Sequence, residues 1–219
     1  IATDVSGFVS NPMEYAETSK ISLYGIADYC WNMEAYDYQS NWEKSIENIL
    51  PSNPQALRTF ALYNKDLGPN GHGFRREEGD ELKDIVDKVL QGDMFATAML
   101  NVTCNELEMA CDILLNEKGN PQLIHEIRPW VLQCKNLAAY GRAVALMNML
   151  AETTDNSNTT SQFINFENLY QQARSLQKQM FDLENNSAMR HPYQIGTKVG
   201  TKVMLPTLNK LFTLATEKY

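Results

Sequence analysis

The sequence predicts an all-α protein, a bundle of long antiparallel helices preceded by shorter ones. Three observations point there. First, apolar residues recur at steps of four and three along three stretches: Leu100, Cys104, Leu107, Cys111 and Leu114; Ile127, Trp130, Cys134, Leu137, Gly141 and Val144; Phe166, Leu169, Ala173, Leu176, Met180 and Leu183. This spacing lays one apolar stripe along each helix, as packed bundles require. Second, Asn-Pro stands at three expected helix starts. Third, no segment reads convincingly as a strand.

In chain order, Asn11-Pro12 opens a helix that is expected to run to about Trp31. Asn caps well because its side-chain oxygen accepts from an orphan amide, and Pro suits the next position, where no amide is needed. Glu14, three residues on, completes a capping-box-like pattern. A shorter helix covers about 40–50 and ends at Pro51. A third runs from Pro54, behind Asn53, to about Lys65, with Leu57, Phe60, Ala61 and Leu67 on one side. Residues 68–73 hold three glycines and a proline and cannot be helix interior, so a break over 68–79 precedes the long helices. Asn120-Pro121 opens the second long helix, and 153–162 and 185–200 read as connections. The last helix reaches towards Tyr219 with Pro206 near its first turns.

With 219 residues, 43 % hydrophobic and 21 % charged, the chain can bury a core and is not of disordered composition. Its 19 basic and 27 acidic residues give a net charge of −8. Phosphate binding needs a clustered cationic face, and the longest basic run, Arg75-Arg76, is followed at once by Glu77-Glu78, so nucleic acid is not an expected partner. No apolar run approaches the roughly 18 residues of a membrane span. The chain opens at Ile1 with no signal-peptide pattern, and the expectation is a piece of a larger protein.

Motifs for chemistry are few. Cys30, Cys104, Cys111 and Cys134 form no C-x-x-C pair. Cys104 and Cys111 would lie about 10 Å apart on one helix, too far for a mutual disulfide, and buried free thiols are expected on these seams. His72, His125 and His191 show no metal-ligand spacing, so no metal or cofactor is expected. His72, in the glycine loop, could contact a ligand or simply be solvated. The acids Glu77, Glu78, Asp80, Glu81 and Asp84 fall at helix starts and on polar faces, where the helix dipole favours them. Nothing singles out the carboxyl pair that glycoside hydrolysis needs, so no catalytic residue is assigned. Tyr24, Tyr29, Trp31, Tyr36, Tyr38 and Trp42 crowd one stretch. They read either as an aromatic core joining the first two helices, the preferred reading, or as a sugar-stacking wall.

One long pattern is specific. Ser10-Asn11-Pro12-Met13-Glu14, Ser19 to Asn32, Tyr36-Asp37, Trp42, Leu67 to Glu78 and Gln177 to Phe181 together resemble family 84 glycoside hydrolases of the Bacteroides type, O-GlcNAcases and hyaluronidase-like β-N-acetylglucosaminidases. The resemblance implies that residues 1–38 are the C-terminal remnant of a (β/α)8 catalytic barrel. Residues 39–219 would be the post-catalytic helical bundle. Family members use adjacent aspartates, one as general acid/base and one orienting the substrate's acetamide; this chain has no Asp-Asp pair. Eight parallel strands cannot come from the few residues before Pro12. One family substrate-binding position maps here, the asparagine of the S/T-N-P-M segment, which is Asn11. In this chain its cap role is the expected one, and sugar contact belongs to the complete enzyme. The chain departs from the family pattern at Met33, where proline is common, and in its three bundle cysteines, which implies adjusted interior packing.

The expectation is therefore a non-catalytic C-terminal region of a retaining β-N-acetylglucosaminidase, inactive alone, that supports its barrel. Its implied partners are that barrel, a second copy in a homodimer and, through the parent, N-acetylglucosamine-containing glycans. The family resemblance also implies an exported parent. The alternative is an autonomous protein- or glycan-binding helical module, in which the aromatic stretch and the glycine loop offer apolar surface.

Overall fold

Each apolar seam becomes one long helix. The computed structural model describes residues 7, 9–11, 14–64, 82–153, 160–188 and 196–219. Among them are eight helices and no strand: α1 (Ala16–Trp31), α2 (Tyr38–Ile49), α3 (Pro54–Leu62), α4 (Lys83–Leu90), α5 (Met94–Leu115), α6 (Pro121–Thr153), α7 (Thr160–Ala188) and α8 (Met204–Lys218). The glycine-rich break with His72, the acids Glu77 to Glu81, the residues between α6 and α7, and His191 lie outside the described residues.

Every residue of the α5 seam is buried, from Leu100 to Leu114, and on α6 Cys134, Leu137 and Val144 are equally enclosed. Cross-helix partners fix the directions. Arg142 pairs with Glu108 at 2.7 Å, Lys135 with Asp112 at 2.5 Å, and Asn148 donates to Thr97 at 3.4 Å. Position numbers rise on α6 as they fall on α5, so the two run antiparallel. Gln133 donates to the Met180 carbonyl at 3.0 Å and Gln177 to the Tyr140 hydroxyl at 2.8 Å, which makes α6 and α7 antiparallel too. Tyr140 donates in turn to Asn209 on α8 at 2.9 Å. This fully buried phenol joins three helices, and burial, only partly offset by Gln177, pushes its pKa up to about 12. The expected antiparallel bundle is present. Helix α6 packs on α5, α7, α8 and α1, while α3 and α4 lie against α5 and α2 against α1 and α3.

Two glycines are required. An added Cβ on Gly141 would stand 2.5 Å from the Cys104 sulfur and 3.2 Å from Leu208, so the glycine lets α5, α6 and α8 approach closely. Gly200, at φ +64°, makes the turn into α8 in the left-handed region, with Leu137 where a side chain would sit. Pro206 lies in the first turn of α8, where no intrahelical amide is missed.

The helix starts correct the Asn-Pro rule. Asn120 caps α6, its Oδ1 accepting from Leu123 at 3.1 Å. Asn53 holds the N-cap position of α3 with Pro54 following, but its side-chain amide donates to the Glu117 carboxylate instead. Asn11 is exposed and lies outside any helix, because α1 starts only at Ala16 behind Tyr15, and Glu14 too precedes it. The sequence also hides the short α4, which ends at Gln91-Gly92, where Gly92 has φ +85° and Asp93 caps α5 through Ala96 at 3.0 Å.

Candidate functional site

Asn11, which the resemblance alone makes a candidate for sugar contact in the complete enzyme, is exposed and precedes α1. What holds the first turn of α1 is a carboxylate from the bundle. Tyr15, the residue before α1, supplies no side-chain cap. Glu126 on α6 accepts from the Glu17 amide at 3.1 Å, the Thr18 amide at 2.9 Å and the Thr18 hydroxyl at 3.0 Å. These amides belong to the first turn of α1, whose N–H groups have no intrahelical acceptor. The positive end of the helix dipole also favours a carboxylate there. Asn11 does not cap α1, which starts five residues later; the first-turn amides are met instead by Glu126, 108 positions beyond Thr18.

Burial acts to raise the pKa of Glu126, which is only 6 % exposed. The amides of Thr18 and Glu17, with Gln122 and the Thr18 hydroxyl, outweigh it and hold the carboxyl below its ordinary value. One turn further along α6, Trp130 takes the edge of the Tyr15 ring at 5.6 Å between centroids. Asn120 completes the junction by donating to Glu17 at 3.1 Å and to the Ile49 carbonyl at 3.2 Å. Helices α1, α2 and α6 therefore meet at one polar knot.

The aromatic stretch is not the core it was expected to be. Trp31 is 90 % exposed, Tyr38 51 % and Tyr29 38 %. Only Trp42 packs on the core margin, with the Arg58 guanidinium over its ring at 5.7 Å. The reason for Tyr29 and Trp31 is the position of α1, which buries Ser19 alone; Tyr38 opens α2, whose buried residues are Asn41, Ser45 and Ile46. Tyr29 and Tyr36 instead meet edge to face at 5.4 Å. Met33 is 39 % exposed, so its departure from the family pattern is not one of the buried core.

The cysteines behave as their seams require. Cys104, Cys111 and Cys134 are buried free thiols and Cys30 is exposed. Burial pushes Cys104 up to about 12. A hydrogen bond with Cys134, followed by burial, raises Cys111 further. Both thiols are thus protonated and unreactive at neutral pH. His125 lies exposed on α6. Glu126 was not singled out from the sequence, and Trp130 was read only as a member of the α6 apolar seam. The available signal was an acidic residue set among Ile124, Ile127 and Trp130, on the side of α6 that otherwise reads as apolar.

Comparison with known proteins fits this geometry. Residues 82–212 match the family described as bacterial GH84, post-catalytic domain, and residues 1–62 match the beta-N-acetylglucosaminidase family. Among solved structures, CpGH84D is similar at a TM-score of 0.79 and 24 % identity, over 98 % of this chain and 35 % of its own. CpGH84B gives 0.75 and 20 %, over 95 % and 34 %. A point mutant of the Thermobaculum terrenum O-GlcNAc hydrolase gives 0.71 and 18 %, over 99 % and 43 %. The chain spans about a third to two-fifths of the length of these relatives, and at such identities the likeness is one of fold. With most of its residues inside the first match, this chain belongs to the post-catalytic helical domain family of bacterial family 84 glycoside hydrolases.

Proposed function

We propose that this chain is the non-catalytic helical region of a retaining β-N-acetylglucosaminidase. The parent would remove terminal β-linked N-acetylglucosamine by substrate-assisted catalysis. The bundle acts as structural and docking support for the barrel, with residues 1–38 as the barrel's end. The observation that carries this reading is the junction. Helix α1, inside the stretch that matches the beta-N-acetylglucosaminidase family, is held by α6, inside the post-catalytic match. The outward Trp31, Tyr29 and Tyr38 fit the same reading as rings that a barrel would cover. The isolated chain is expected to release nothing from an aryl N-acetylglucosaminide. Turnover above a protein-free blank, abolished by an inhibitor of the family, would contradict it.

A second reading is favoured by one feature, the 90 % exposure of Trp31, which suits stacking on a sugar face. In that case the bundle binds glycans by itself, and glycan-array signal would be lost on Trp31→Ala. Self-association has its own support. Phe95, Met99, Val102, Met109 and Ile113 are exposed along one edge of α5 at the spacing of a helix-pairing seam. A doubled mass by light scattering would bear out the homodimer, and a monomeric mass would remove it.

A further inference from the structure

We propose that Cys111 and Cys134 are a redox modification site. They form a dithiol that the packing of α5 on α6 closes into an interhelical disulfide when a disulfide oxidant is present as the chain folds, whatever the parent protein hydrolyses.

The register between the two helices points to this pair. Thr97 on α5 accepts from Asn148 on α6 at 3.4 Å. Seven residues on, Cys104 faces Gly141, where an added Cβ would stand 2.5 Å from the Cys104 sulfur. Seven residues further, the same antiparallel register sets Cys111 against Cys134, and beside them Lys135 and Asp112 pair at 2.5 Å. Both cysteines are fully enclosed, and their thiols are hydrogen-bonded to each other. Asn64, just past α3, donates to the Cys134 sulfur at 3.6 Å and so holds it from a third element. Gly141 acts one layer away, since the close backbone approach it allows draws α5 and α6 together next to the pair.

The same geometry sets the other cysteines aside. Cys104 lies two turns from Cys111, about 10 Å along one helix, and faces a glycine rather than a sulfur. Cys30 is exposed on α1, outside the core.

In the folded chain the pair is sealed from an oxidant, so the bond is made while α5 and α6 are apart. One cysteine thiolate attacks a sulfur of glutathione disulfide, forming a mixed disulfide and releasing one glutathione thiolate. As the helices close, the second cysteine thiolate attacks the protein sulfur of that mixed disulfide and expels the other glutathione. Two protons and two electrons leave the cysteines, and one glutathione disulfide becomes two glutathione thiols. The bond spans the whole connection between α5 and α6, and it stabilises that hairpin by restricting the unfolded chain.

The test is to refold the reduced chain in a buffer of oxidised and reduced glutathione, block the remaining thiols with N-ethylmaleimide and map the peptides by mass spectrometry. A Cys111–Cys134 linkage is expected in most molecules, with Cys30 and Cys104 carrying the maleimide. Oxidation in strong urea is the control. There loop closure favours the shortest separation, so Cys104–Cys111 should lead, a linkage that the helix forbids. The linked protein should melt roughly 5 °C or more above its reduced form. Cys104→Ala should leave the linkage in place, and Cys134→Ala should leave Cys111 with the maleimide. The mapping uses the unaltered chain, so it stands even where a variant fails to fold. A Cys111 that stays unlinked after refolding, or the same mixture of linkages with and without urea, would overturn the proposal. So would a linked form that melts no higher than the reduced one.

Discussion

Helices α1 and α6 touch each other yet are built on opposite terms. Helix α6 buries residues along its whole length, from Leu123 to Ala151, and its start is capped by the residue just before it. Helix α1 buries one serine and takes its cap from a residue 108 positions beyond Thr18, in the middle of the sequence. Most helical stability in proteins comes from tertiary burial of an apolar face. Helix α6 has that face on three sides, while α1 buries a single residue, is tied to α6 at its first turn and otherwise packs on α2, where Asn41 donates to Asp28. The bundle is thus a core set by its own apolar spacing, and α1 is a marginal helix tied to it through Glu126 and packed on α2.

The largest expected effect breaks the core side of this contrast. Leu107→Ala removes a fully enclosed side chain between α5 and α6 and should cost about 2–5 kcal/mol. Ile21→Ala, on half-exposed α1, should cost less than about 1 kcal/mol. Chemical denaturation of the two variants measures the difference, and equal losses would erase the distinction between the regions. Next in size is Gly141→Ala, which forces a methyl against the Cys104 sulfur and Leu208 and should cost about 1–3 kcal/mol as overpacking. Thermal melting detects it as a clear drop in midpoint.

These core effects were legible in the sequence because they are local. Leu100 to Leu114 and Ile127 to Val144 announce their helices by spacing alone, and the structure buries them as spaced. The rest was hidden by distance along the chain. Asn11-Pro12 carries the same local signal as Asn120-Pro121, but only the second is used, since a carboxylate 108 residues away had already met the need of α1. The aromatic stretch misled for a related reason. Composition gives the rings a reason to be buried, but the docking of α1 decides which way they face, and no local pattern records it. Asn11 could be mapped from the sequence by resemblance, whereas the Glu126 carboxylate that holds the first turn of α1 could not be foreseen.

Smaller effects sharpen the contrast at the junction. Glu126→Ala should cost about 1–2 kcal/mol, the usual loss for a missing cap. Acid should reach the same place. The amides of Glu17 and Thr18 depress Glu126 against its burial, and Glu117, which accepts first from Gly119 and then from Asn53, is held down to about 2. Depressed carboxylates contribute stability that is complete above their ordinary value of 4.5 and lost as pH falls through the folded-state value. Urea midpoints should therefore fall between pH 4.5 and about 2, and fall less steeply in Glu126→Gln. The smallest effect is that of Trp31→Ser, within about 0.5 kcal/mol of the parent, since the ring contributes little to this fold.

Residue-resolved hydrogen exchange on Glu126→Gln tests the account most directly. Protection at Glu17, Thr18 and Ser19 should drop sharply, while Leu107, Cys111, Leu137 and Val144 exchange as slowly as in the unaltered chain. Unchanged protection at the start of α1, or an equal loss across α5 and α6, would contradict it.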